Sequence, residues 1–150
     1  MKPRLLISEC LLGVNCRYDG GGKAIPELAE LMARAELIPV CPEILGGLPT
    51  PRVPSERVGS RVIAREGADV TDAFRRGARE AAKLAELFGA KLALLKERSP
   101  SCGSGTIYDG SFTGGLKPGN GVTAELLKER GIAVYGESRV GELIEKLKEE

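Results

Sequence analysis

Four short apolar runs punctuate the chain: Leu5-Leu6-Ile7, Leu37-Ile38-Pro39-Val40, Leu92-Ala93-Leu94-Leu95 and Ile132-Ala133-Val134-Tyr135. Each is flanked by polar or turn-forming residues and is too short for a helix, so each predicts a buried strand. The strands are expected over 5–8, 37–40, 92–96 and 132–135. Pro39 has no N–H to donate to a ladder, which assigns the second run to a sheet edge or to a very short strand.

Between these runs the period becomes helical. Ile25, Leu28, Ala29, Leu31 and Met32 fall on one face of a helix predicted over 24–35, where Pro26 is tolerated in the first turn. Phe74, Gly77, Ala78, Ala81, Leu84, Ala85 and Phe88 mark the strongest helix, 71–88, with Thr71 as its N-cap and Gly89 as its stop. A further helix over 122–130 ends at Gly131, and Ser138 caps a terminal helix whose inner face carries Val140, Leu143, Ile144 and Leu147. Residues 61–65 predict a short strand, or half of a hairpin that closes over the functional edge. Residues 9–22, 41–59 and the glycine-rich 97–121 read as loops, the first with a short helical turn.

Strands alternating with helices predict one α/β domain over 1–150, Rossmann-like, with a mostly parallel sheet and helices on both faces. In such a sheet the loops after successive strands share one edge, where ligands bind.

Composition narrows the partners. Of the 150 residues, 42% are hydrophobic and 29% charged, and the net charge of +1 comes from interspersed signs. No basic block of the kind that grips nucleic acid or acidic membrane is present. The N-terminal apolar run is too short for a signal peptide, and no stretch approaches the roughly 20 apolar residues of a membrane span. A cytoplasmic protein is therefore expected. Histidine is absent, which excludes His-based metal sites and Ser-His or Cys-His catalysis.

The chemistry rests on cysteine. Cys10, Cys41 and Cys102 each lie just beyond an apolar run, so the predicted sheet brings them to one edge although they are far apart in sequence. Free cysteine also packs as a small hydrophobe, but these three stand in polar, turn-rich surroundings. Thiolates without histidine favour zinc or an iron–sulfur cluster. Structural zinc takes four ligands, usually with paired short spacings such as Cys-x-x-Cys, which this chain lacks. Three cysteines can hold three irons of a [4Fe–4S] cluster and leave the fourth open. Ligation by all four cysteines, Cys16 included, and a redox disulfide are the alternatives at this level.

Glu43 lies two residues after Cys41 and is either a solvated loop acid or a proton donor or acceptor beside the metal. Ser99 and Ser101 flank Pro100 just before Cys102, where their hydroxyls serve the turn or a substrate. With Lys96, Arg98, Ser104 and Gly105 they also suggest a weak anion nest, although no full phosphate-loop or dinucleotide pattern follows. Asn15, Arg17, Tyr18 and Asp19 form a polar turn to which spacing assigns no role.

Three segments together carry a family likeness: residues 11–20 (LLGVNCRYDG), Cys41-Pro42-Glu43, and residues 96–103 (KERSPSCG). In this order, and over nearly its whole length, the chain resembles the bacterial family long called domain of unknown function 523, whose characterised members include thiouracil desulfidases. The resemblance implies a [4Fe–4S] enzyme that removes sulfur from a thiolated pyrimidine, as 2- or 4-thiouracil or a 4-thiouridine nucleotide, without net redox change. It implies Cys10, Cys41 and Cys102 as cluster ligands, with one iron free of protein ligation to act as a Lewis acid. It further implies Glu43 as the group that positions or activates water, and Ser99 or Ser101 as a substrate-binding or proton-donating hydroxyl. Cys16 matches a motif without a role. The rival readings are a non-catalytic metal or cluster module closed by Cys16, and another sulfur-transfer enzyme.

Overall fold

A computed structural model describes residues 2–149. The four apolar runs become strands β1 (Arg4–Ser8), β2 (Glu36–Val40), β5 (Leu92–Leu95) and β8 (Ala133–Gly136). They form one parallel sheet in the order β2-β1-β5-β8, with Ile7 opposite both Pro39 and Leu94. Leu5, Leu6 and Ile7 are fully buried, as are Ala93, Leu94 and Leu95, which is why the central strands read as unbroken apolar runs. Pro39 sits on the edge strand β2 and is exposed, as its missing N–H requires.

The helices are α1 (Leu28–Arg34), α2 (Pro42–Leu45), α3 (Thr71–Phe88), α4 (Val122–Glu129) and α5 (Val140–Lys148). Leu5, Ile7, Leu92 and Leu94 pack with Leu31 of α1 and with Leu143 and Ile144 of α5. Leu6, Ala93, Leu95 and Val134 face the other way, onto Ala82 and Ala85 of α3 and Ala124 and Leu127 of α4. The result is the expected α/β fold with helices on both faces. From β1 the chain steps to β2 on one side and then crosses to β5 on the other. This reversal opens a crevice at the C-terminal ends of β1 and β5. Among the described residues, no helix is long and apolar enough to cross a membrane.

Several local expectations are corrected. The first helix begins at Leu28 rather than residue 24, because Pro26 disfavours helical backbone at Ile25. Met32 is 57% exposed and lies off the buried face, which is carried by Leu31. Thr71 is not the N-cap of α3. The Asp69 carboxylate accepts from the Thr71 N–H at 3.0 Å, and the Thr71 hydroxyl serves the Val62 N–H at 2.9 Å. Gly89 does end α3, at φ +67. Ser138 does not cap α5 either: it lies in the turn Glu137–Arg139 and donates to Glu97.

The supposed loops carry structure of their own. Strands β3 (Ser55–Val58) and β4 (Arg61–Ala64) form a hairpin, and β6 (Thr106–Tyr108) pairs with β7 (Leu116–Pro118) within the glycine-rich stretch. The buried Glu56 of β3 ties the two hairpins together by accepting from the N–H groups of Gly110 and Phe112.

The one-turn helix α2 lies against α3 at a glycine contact. A Cβ on Gly77 would stand 1.8 Å from the Pro42 carbonyl oxygen, and one on Gly46 2.0 Å from that of Ala73. Both partners are backbone and cannot move aside alone. Gly77→Ala is therefore expected to cost about 3 kcal/mol, the upper end of ordinary overpacking, and to lower the melting temperature by about 10 °C. An unchanged melting curve would contradict this packing.

Candidate active site

Three strand ends deliver the cysteines. After β1 a single 3-10 turn, Glu9–Leu12, carries Cys10 and is closed by Gly13 at φ +92. Cys41 directly follows β2, and Pro42 starts α2 so that Glu43 falls in its first turn. After β5 the chain runs through Lys96 and Ser99 to Cys102. Cys10, Cys41, Glu43, Lys96, Ser99 and Cys102, with Cys16, line one cavity of about 720 Å³, within the usual range for a small-molecule site. Cys10, Cys16 and Cys102 are buried, Cys41 is half-buried, and all four are free thiols. The Cys41 thiol points at the Cys16 carbonyl oxygen, 3.8 Å away.

Burial dominates the electrostatics of the thiols. It pushes Cys10 up to about 11, against the pull of the Lys96 ammonium. Burial also raises Cys16, reinforced by the neighbouring Cys41 and Cys10, and raises Cys102 against the opposing pull of the nearby Ser8 hydroxyl. The thiols feel one another, which records their convergence in space. A bound metal reverses this balance, since coordination takes the thiolate. Among the described residues, no three Cys, Asp or Glu side chains are arranged to hold a single ion.

Glu43 is paired with Arg52, Oε1 to Nε at 2.9 Å, and both side chains are largely buried. Ser99 lines the cavity, and its Oγ accepts from the N–H groups of Ser101 at 3.0 Å and Cys102 at 3.1 Å. With those lone pairs engaged, the Ser99 hydroxyl proton is the group left to donate. Ser101 is placed elsewhere: it is 1% exposed, bonded to the Thr123 hydroxyl at 2.9 Å, and absent from the cavity wall. Its carbonyl accepts from Thr123 and Ala124 at the start of α4.

The anion nest is not formed. The N–H groups of Ser101 and Cys102 go to Ser99 Oγ, that of Gly103 to the Ser99 carbonyl and that of Gly105 to Asn120. Of its cations, Lys96 is bound to Glu137 at 2.7 Å.

Residues 5–139 match the family model of 2-thiouracil desulfurase. The chain belongs to that family. It is 38% identical to the uncharacterized protein YbbK of Bacillus subtilis (strain 168), over 93% of this chain and 99% of the relative. A solved structure described as the [4Fe–4S]-dependent thiouracil desulfidase TudS superposes with a TM-score of 0.93 at 47% identity, covering 98% of this chain and 99% of that one.

Within this desulfurase-family fold the cavity contains groups that sequence reasoning missed. Arg52 lies in a proline-rich stretch with no periodicity, and no local signal could have found it. Glu137 directly follows β8, so the strand-end rule that located the cysteines could also have found it; its Oε1 accepts from the Glu97 N–H at 2.6 Å. The outer wall includes Tyr18, Tyr108 and Phe112, the last at φ +59 with the Arg65 guanidinium 5.8 Å from its ring centre. Ser55, Glu56 and Arg65 bring the β3–β4 hairpin to this wall. Arg17 and Tyr18 line the cavity, whereas Asp19 accepts from the Gly21 N–H within its own turn.

Proposed function

We propose that the chain is a desulfidase of thiolated pyrimidines, 1–150 serving as one catalytic domain, with a [4Fe–4S] cluster on Cys10, Cys41 and Cys102. The observation that carries this reading is the meeting of three thiols, from three separate strand ends, in one cavity with the Glu43 carboxylate and the Ser99 hydroxyl. The donor set suits such a group. The donors are cysteine thiols alone, with no histidine in the chain, the soft set that thiophilic iron favours. A cluster places each thiolate on its own iron. One iron without a protein ligand would supply a Lewis acid for the thiocarbonyl sulfur.

The protein's own residues do the rest. The reaction joins thiocarbonyl and water to give carbonyl and hydrogen sulfide, with no change of oxidation state. Glu43 takes a proton from the attacking water, for which its Oε2 is available while Oε1 is held by Arg52. Ser99 donates its proton in a hydrogen bond to the pyrimidine. Ser101 keeps the turn seated on α4 and touches no substrate. Free thiols suit a reducing cytoplasm, and the partner is a small molecule rather than a nucleic-acid polymer.

The test is anaerobic incubation of iron-reconstituted protein with 2-thiouracil and 4-thiouracil in ¹⁸O-labelled water. Sulfide and the oxo-pyrimidine are expected in equal amounts, with the label in the product carbonyl. Loaded protein that releases no sulfide from thiolated bases or their nucleotides would overturn the reading.

A further inference from the structure

Arg52 belongs to none of the motifs, yet it is the most fully engaged cation of the cavity wall. Its side chain is 7% exposed. Nε donates to Glu43 Oε1 at 2.9 Å, Nη1 to the Pro49 carbonyl at 3.1 Å and the Thr50 hydroxyl at 3.0 Å, and Nη2 to the Cys16 carbonyl at 3.0 Å. Its own backbone N–H donates to the Tyr18 carbonyl at 2.8 Å. One guanidinium thus ties together three wall segments: 16–18, the turn bearing Glu43, and 49–52.

Glu43 needs such a tie. Helix α2 is a single turn of four residues without a side-chain cap, and a glutamate on so short an element has several rotamers open to it. The guanidinium fork selects one by holding Oε1. Among the described residues Oε2 has no protein partner, so it is the oxygen left for whatever occupies the cavity. The Cys16 carbonyl that Arg52 holds also lies 3.8 Å from the Cys41 sulfur, so the carboxylate and that sulfur stand against one wall segment.

We propose that Arg52 is the positioning residue of the site: it aims the Glu43 carboxylate by locking it to the Cys16 carbonyl. The inference rests on the role of Glu43 in the proposed reaction and adds the residue through which that role is exerted. All three guanidinium nitrogens of Arg52 are committed to protein acceptors, so its loss acts through geometry. Misplacing a catalytic group by about 1 Å can cost on the order of 100-fold in rate. Lysine would keep the charge but not the planar fork, and cannot serve Glu43, Cys16, Pro49 and Thr50 together.

The experiment compares Arg52→Lys, Arg52→Gln, Glu43→Gln and the Arg52→Gln/Glu43→Gln double variant, each reconstituted anaerobically. Iron per chain and melting temperature are recorded beside kcat and KM for 2-thiouracil. The expected result for Arg52→Gln is a kcat lower by about 100-fold, KM within about twofold, and unchanged iron. Arg52→Lys should recover part of the rate, and guanidinium ion added to Arg52→Gln should restore some of it. In the Glu43→Gln background, loss of Arg52 should cost no further rate, because there is no carboxylate left to aim.

Full kcat in Arg52→Gln beside an inactive Glu43→Gln would overturn the inference while leaving the proposed reaction standing. So would losses that multiply in the double variant, or a rate loss matched by lost iron. If Arg52→Gln does not fold because its buried carboxylate is left unpaired, the lysine variant and the double variant, which removes both charges, carry the same tests. Normal turnover in Glu43→Gln would instead remove the reading on which the inference stands.

Discussion

Cys10→Ala, Cys41→Ala and Cys102→Ala are each expected to abolish cluster loading, with iron per chain falling to background after anaerobic reconstitution. Each thiol arrives from a different strand end, so no neighbouring residue on the same element can replace it. The chain contains no histidine, and the remaining cysteine, Cys16, already lies in the same cavity wall. The fold should survive these changes. Each deletes one heavy atom, from a buried residue at Cys10 and Cys102 and a half-buried one at Cys41, a loss of at most about 1 kcal/mol by analogy with a buried methylene. Melting curves near that of the wild type, together with the absence of bound iron, would separate lost ligation from lost folding. Full loading without Cys41 would overturn the three-ligand assignment.

Glu43→Gln is expected to retain iron and to lose turnover by about 1,000-fold, within the range of general acid–base contributions. The amide keeps the length and shape of the carboxylate, and its carbonyl oxygen can still accept from Arg52 Nε. What it lacks is the basicity to take a proton from water. A fall in kcat with little change in KM identifies a group used in the reaction rather than in binding. Normal kcat in this variant would refute the assignment.

The fold was legible where burial acts on contiguous sequence. Strands buried on both faces show as unbroken apolar runs, and α3 shows because Phe74, Ala78, Ala81 and Ala85 repeat on one helical face. The convergence of Cys10, Cys41 and Cys102 was legible for a related reason: a parallel sheet places its strand ends together whatever the intervening sequence. Elements held by tertiary contacts were not. The β6–β7 hairpin has three-residue strands with Ile107 as its one buried side chain, and it is anchored by Glu56 from another hairpin. The caps failed because a hydroxyl's partner depends on the fold. Thr71 turns to Val62 and Asp69, and Ser138 to Glu97. Choosing between Ser99 and Ser101 likewise needed three dimensions, since both lie beside Pro100 and one faces the cavity. Arg52 illustrates the limit most clearly, because Glu43 and Cys16, the groups it ties together, lie 9 and 36 residues away in sequence.

The measurement that bears most directly on the central claim is the iron content and desulfidase turnover of Cys16→Ala, set beside the wild type after anaerobic reconstitution. Three-cysteine ligation with an open iron predicts about four irons per chain in both proteins and sulfide release by both. A Cys16→Ala variant that takes up no cluster, or zinc in place of iron in the wild type, would indicate a closed site and contradict the account.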